Sequence, residues 1–393
     1  IRRELEIQEG EIFSGTKLRL SKEQVERLGF FEPGSVIFNQ IPAPGKDDVL
    51  DIEITVKERN TGQISIGAGY STATGFFTQA SIAQNNFMGK GQNLSFTYFW
   101  GKTKTNFTLS FTEPYLFDTK WLAGADIFFT DNSASESYVY RTKGFALRVG
   151  YPIARYTKLF LTYRYDRTEL KDDYDPTIDP KLENGVASLI RPSINYDRRN
   201  NAFEPTKGHY FNLSYEFAGL GGDRRWMKTE FDGRWYHDLG RDYTLRARLY
   251  AAKVARVGSR KVPRTEKLTL GGSRDMRGYA YEQIGPKVKA TNTKTNQEQE
   301  FNQGGLFSLV STLEVEHPLV REAGLKWVAF FDAGNVFERY YGEYGRTSLL
   351  RDYGVGIRWF SPLGIIRLGY GVPWGGPYRD EGGQFFFDIG EYF

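Results

Sequence analysis

The residues best placed to do chemistry in this chain are Met276-Arg277-Gly278-Tyr279. An Arg-Gly-aromatic step allows a tight turn at Gly278 that presents the guanidinium forward, and arginine grips carboxylates through a bidentate fork. Candidate carboxylates lie on the next two strand-like segments. Glu314 shares a face with Thr312 and Glu316, opposite Leu309, Leu313 and Val315; Asp332 shares a face with Lys326, away from Trp327 and Phe331. Because side chains alternate along a strand, both carboxylates point to the polar side. The chemistry on offer is anchoring of a loop by charge-assisted hydrogen bonds. The plainer alternative is an exposed loop charge at Arg277.

Other chemistries find little support. His209, His237 and His317 stand in separate segments without metal-ligand spacing. Gly67-Ala68-Gly69 and Gly369-Tyr370-Gly371 lack the third glycine and following helix of a dinucleotide site, and Gly271-Gly272-Ser273 is followed by Asp275 rather than the glycine of a nucleophile elbow. The Asp172, Asp173, Asp175 and Asp179 group lacks the glycine and terminal glutamate of a calcium loop, and reads as a solvated surface. Cysteine is absent, which removes disulfides, thiolate zinc and cysteine nucleophiles together. We expect no enzyme, no metal and no cofactor.

The elements that must position these residues are strands. From residue 63 onward the pattern has period two: Leu94, Phe96, Tyr98 and Trp100 against Asn93, Ser95 and Thr97; Tyr353, Val355, Ile357 and Trp359 against Gly354, Gly356 and Arg358. Sixteen such segments follow one another: 63–71, 76–84, 91–101, 104–114, 119–131, 137–150, 156–170, 184–198, 207–220, 226–240, 242–256, 304–317, 324–336, 349–361, 363–371 and 383–393. Rings gather near strand ends (Trp100, Tyr163, Trp235, Trp359), while Arg164, Arg246, Arg248, Arg358 and Arg367 take inward positions. Aromatics make up 16% of the chain and glycine 43 of 393 residues, yet charged residues are 25% and mean hydropathy is −0.51. Transmembrane helices are excluded, since no run of about 18 apolar residues exists. A sixteen-stranded antiparallel transmembrane β-barrel fits an even strand count, outward apolar residues and inward charge. A net charge of +4 is too even for a dedicated nucleic-acid binder.

Residues 1–60 differ. Ser21-Lys22-Glu23-Gln24 followed by Val25, Leu28 and Gly29 reads as a short amphipathic helix with a C-terminal glycine, and strands follow at 35–40 and 49–58. This is a small α+β unit that begins in mid-domain. Between the strands ending near 256 and starting near 304 lies an unusually long connection, the mark of a functional loop. Its stretch 268–279 is ordered in composition; 291–303 is polar and expected to be mobile.

These features resemble a known family, the BamA-type outer-membrane protein assembly factors of the superfamily that joins POTRA domains to a transmembrane barrel. Residues 1–60 look like the last POTRA domain, truncated at its N-terminus, through Arg2-Arg3-Glu4, Arg27-Leu28-Gly29-Phe30-Phe31 and Val56-Lys57-Glu58-Arg59. Residues 61–393 look like the barrel, through Gly67-Ala68-Gly69-Tyr70, Asn86-Phe87-Met88-Gly89-Lys90-Gly91 and Glu113-Pro114-Tyr115. Met276-Arg277-Gly278-Tyr279 is similar to the family's Val-Arg-Gly-Phe loop motif, whose arginine contacts acidic residues at the positions of Glu314 and Asp332. The end of the chain, closing on Phe393, is similar to an outer-membrane targeting signal.

The resemblance implies insertion of β-barrel clients through a seam between the first and last strands, in the bacterial outer membrane with the POTRA portion in the periplasm. The implied partners are unfolded outer-membrane β-barrel clients, periplasmic accessory lipoproteins and chaperones, and outer-membrane lipid, with no nucleic acid. Gly67 and Gly69 would weaken the first strand and Gly390 would kink the last; alternatively these glycines fit the packing of an ordinary barrel wall. Other readings are a two-partner secretion transporter of the same superfamily and a passive porin.

Overall fold

The computed structural model describes the chain apart from residues 33, 47, 72–74, 134–137, 174, 202–203, 339–348, 362–363, 379–381 and 390–393. The N-terminal unit contains helix α1 (Gly15–Arg27) and a two-stranded sheet of β1 (Ile37–Pro42) and β2 (Leu50–Thr55). The helix starts earlier than its sequence suggests. Ser14 caps it, accepting from the Lys17 N–H at 3.4 Å. Ser21 lies inside the helix, fully buried, where its hydroxyl donates to the Lys17 carbonyl at 2.8 Å and accepts from the Glu6 N–H at 2.8 Å. A serine satisfied on its own helix imitates a cap in sequence. Gly29, at φ +67°, closes the helix.

The strands of the large sheet begin with β3 (Gly62–Ser71), β4 (Gly75–Phe87), β5 (Gln92–Gly101), β6 (Lys104–Glu113), β7 (Leu122–Asn132) and β8 (Tyr138–Ala154). They continue with β9 (Thr157–Asp173), β10 (Gly185–Asp197), β11 (Gly208–Gly222), β12 (Trp226–Gly240) and β13 (Tyr243–Ala255). A separate hairpin, β14 (Lys287–Thr291) and β15 (Glu298–Asn302), precedes the last five: β16 (Phe307–Val320), β17 (Leu325–Phe337), β18 (Leu350–Ser361), β19 (Gly364–Pro373) and β20 (Gln384–Ile389). Together β3–β13 and β16–β20 form one sixteen-stranded antiparallel sheet, matching the sixteen alternating segments.

Its polarity is inverted relative to a protein surrounded by water. On β3, Ile64 and Ile66 are about three-quarters exposed; on β18, Tyr353 and Val355 face out while Asp352 and Arg358 are buried. An apolar exterior around a charged interior is the arrangement a barrel needs in lipid. Strand direction alternates, so the β9–β10 and β13–β16 connections lie at the end opposite the N-terminal unit.

Two sequence expectations fail in those connections. Residues 291–303 are largely built into the β14–β15 hairpin, registered from Lys287 opposite Asn302 to Thr291 opposite Glu298, with Phe301 buried. Asp175 is buried rather than solvated, because the long connection folds over it: its carboxylate accepts from the Thr177 N–H at 2.9 Å and hydroxyl at 2.6 Å, with Arg264 Nη2 at 3.6 Å. Asp179 caps the short helix α2 (Pro180–Glu183).

The first and last strands of the sheet, β3 and β20, lie side by side. Every other neighbouring pair is joined by a ladder; among the described residues none joins β3 to β20. Gly67 and Gly69 pair with Gln79 and Phe77 on β4. Gly390 and Phe393 lie outside the described residues.

Candidate functional site

The β13–β16 connection descends into the barrel and turns at residues 276–279. The Tyr279 N–H donates to the Met276 carbonyl at 3.2 Å, leaving Arg277 and Gly278 at the corners. Met276 is fully buried among Leu270, Tyr279, Ile284, Val310 and Val336. Tyr279 is also buried, its hydroxyl donating to the Arg351 carbonyl at 2.9 Å. The two residues flanking the corners thus hold the turn by apolar packing and one hydrogen bond.

Gly278 is needed for space. A Cβ there would meet the Asp352 Cβ at 2.6 Å, and one on Gly371 of β19 would meet the Gly278 nitrogen at 2.7 Å. Two glycines let the loop backbone lie directly against the barrel wall.

This close approach delivers Arg277 to its partners. Its Nε and Nη2 donate to the two oxygens of Asp332, each at 2.8 Å, and its Nη1 donates to Glu314. The guanidinium carbon lies 3.6 Å from the Phe330 ring centroid. Glu314 and Asp332 are 0% exposed. A bidentate fork, a second carboxylate and a ring face use the planar geometry that distinguishes arginine from lysine.

The network extends beyond the residues singled out by sequence. Arg358 donates to Glu314 at 2.8 Å and to Glu316 at 2.5 Å, while Arg246 and Lys326 each reach Glu316 at 3.0 Å. Cations and carboxylates alternate along the lumenal wall of β13, β16, β17 and β18. Asp352 completes the picture from across the ladder, opposite Asp332. Arg246 and Arg358 were visible as inward charges; the register that inserts Arg358 between Glu314 and Glu316 was not. Among the described residues, no group of three or more histidines and carboxylates is arranged to hold a metal. The cluster's capability is mechanical: it pins a loop inside a barrel.

Residues 86–393 match the model of the Omp85 superfamily domain, and residues 1–59 match the POTRA model, described as a surface antigen variable number repeat. The outer membrane protein assembly factor BamA of Nitratidesulfovibrio vulgaris is 30% identical over 398 residues, spanning 100% of this chain and 49% of that protein. The corresponding protein of Neisseria meningitidis serogroup B is 26% identical, over 100% of this chain and 54% of its own length. The chain therefore spans about half the length of these curated relatives. The crystal structure of BamA from Haemophilus ducreyi lacking POTRA domains 1–3 superposes with a TM-score of 0.81 at 26% identity, covering 98% of this chain and 80% of that one.

Proposed function

This chain belongs to the Omp85 superfamily, and on that premise we propose that it folds and inserts β-barrel proteins into a bacterial outer membrane, with its N-terminal unit in the periplasm. Residues 1–60 act as the membrane-proximal POTRA domain and 61–393 as the barrel. Unfolded β-barrel proteins are its clients, delivered by chaperones and accompanied by accessory lipoproteins.

The observation that carries this reading is the β3–β20 boundary, where neighbouring strands share no ladder among the described residues. Unpaired N–H and C=O groups are costly in hydrocarbon and template an incoming strand by β-augmentation. Gly67 supports a deliberately weak edge. Nothing lies within 4 Å of where its Cβ would stand, so wall packing does not demand glycine there. Gly369 provides the contrast: a Cβ would meet the Val355 carbonyl oxygen at 2.7 Å. Interior glycine lowers strand stability and loosens the edge that clients must enter.

The Arg277 cluster holds the loop in the lumen while the seam works, which disfavours a passive porin. Driving force comes from the client, whose strands exchange unpaired edges for ladders and bury apolar faces in lipid. In proteoliposomes carrying the purified protein, an unfolded β-barrel client should acquire heat-modifiable migration and protease protection faster than in empty vesicles. Equal rates would contradict the proposal.

A further inference from the structure

The β13–β16 connection carries a second cluster of charge, separate from the Arg277 network. At the end of the barrel opposite the N-terminal unit, a cavity of about 820 Å³ lies between the β9–β10 connection and the start of the long connection. Arg256, Lys261, Arg264 and Lys267 line it, against two carboxylates, Asp179 and Glu183.

Both carboxylates are already committed. Glu183 accepts from the backbone N–H groups of Arg264 and Thr265 and from the Thr265 hydroxyl, and Asp179 caps α2. Arg264 faces Asp175 at 3.6 Å. Among the described residues Arg256 and Lys261 make no ion pair. Lys267 is held below the usual ammonium pKa range, first by burial and then by repulsion from Arg264, against the pull of the Glu338 and Glu183 carboxylates. Arg256 and Lys261, both exposed, leave two adjacent cations at the cavity that attract an anion.

Shape and floor narrow the class of anion. Ile178, Leu182, Val262 and Leu306 give the cavity an apolar base. Its volume falls within the roughly 300–1,000 Å³ of small-molecule sites, more room than a lone phosphate fills. A ligand with an anionic group and a ring body satisfies the cationic rim and the apolar base together. We propose that this cavity binds a phosphorylated sugar, the chemistry shared by a soluble sugar phosphate and by the headgroup of a phosphorylated glycolipid. The membrane orientation rests on the function proposed above: with the N-terminal unit in the periplasm, the cavity opens on the side of the outer leaflet.

The test titrates the full chain in detergent with glucosamine 1-phosphate, glucosamine and inorganic phosphate by calorimetry. A parallel arm measures capture of a phosphorylated glycolipid in nanodiscs. Glucosamine 1-phosphate should bind and weaken with added salt, while glucosamine should not bind. Arg256→Glu with Lys261→Glu should weaken binding at least tenfold, whereas Lys289→Glu on the β14 hairpin should leave it unchanged. Heat-modifiable migration checks folding, and the milder Arg256→Gln with Lys261→Gln replaces the charge reversal if that variant fails to fold. Capture in nanodiscs identifies the lipid as the source; binding of the soluble compound alone identifies a free sugar phosphate. Absence of binding in both arms, inorganic phosphate binding as tightly as the sugar phosphate, or binding insensitive to the paired substitutions would overturn the proposal. Client insertion into glycolipid-free vesicles is read separately, so failure there counts against the assembly reading and leaves the cavity result standing.

Discussion

Asp352 stands directly opposite Asp332 across the β17–β18 ladder, yet of these two acids Arg277 grips only Asp332. Both carboxyl groups are 0% exposed. Two buried acids at one rung therefore differ in kind: one takes the arginine fork and the other does not. Asp332→Asn removes half of the fork and leaves a buried guanidinium short of charge, at a cost of about 3–5 kcal/mol. Asp352→Asn leaves the fork between Arg277 and Asp332 in place and should be neutral or stabilising. The temperature of the heat-modifiable transition measures both. Equal losses would contradict the asymmetry.

Arg277→Lys should behave nearly as badly as Arg277→Ala. A lysine supplies a point charge and cannot bridge Asp332 and Glu314 while lying flat on Phe330. Limited proteolysis of the 256–306 connection reads the release of the loop. Arg277→Glu combined with Asp332→Arg should restore part of the protection, and wild-type protection in Arg277→Ala would argue against the anchor.

Gly278→Ala and Gly67→Ala make opposite predictions from the same substitution. At Gly278 the new methyl group runs into Asp352, with an overpacking cost of about 1–3 kcal/mol. At Gly67 the space is open and the backbone is extended, so alanine should stabilise β3 by about 0.4–1 kcal/mol. Under the seam mechanism that stabilised edge inserts clients more slowly. A Gly67→Ala barrel that is more stable and equally fast would separate strand weakness from function.

The junction between the N-terminal unit and the barrel should respond to high pH. Arg3 lies over the Tyr115 ring at 4.3 Å and donates to the Lys90 carbonyl at 2.9 Å. Burial, and then the nearby Glu4 carboxylate, push the Tyr115 phenol up to about 12. The folded state therefore favours the neutral phenol. Its contribution is complete below pH 10 and is lost as pH rises from 10 toward 12. A phenolate absorbance titration of wild type against Tyr115→Phe should resolve one group titrating near 12; its titration at 10 would contradict the junction geometry.

Much of this architecture was legible in the sequence because lipid and lumen impose opposite polarities on alternate residues. That constraint revealed sixteen strands and assigned Glu314, Glu316, Asp332, Arg246 and Arg358 to the inner face. Alternation carries no information about register, however, so the pairing of Arg358 with both glutamates and the confrontation of Asp332 with Asp352 emerged only from strand alignment. Local mimicry hid the rest. Ser21 offers a cap-like pattern while bonding to its own helix, and the β14–β15 hairpin buries Phe301 within an otherwise polar stretch.

The seam is tested most directly by locking it. Since the chain has no cysteine, two introduced thiols are the only ones, one within 63–71 on β3 and one within 384–389 on β20. Registers are scanned for pairs that oxidise, a bridge requiring Cα atoms about 4.4–6.8 Å apart. In proteoliposomes the oxidised barrel should lose client insertion and recover it on reduction, while each single-cysteine variant inserts normally. A fully cross-linked barrel that inserts clients at the uncross-linked rate would show that strand templating at β3 and β20 is not how this protein works.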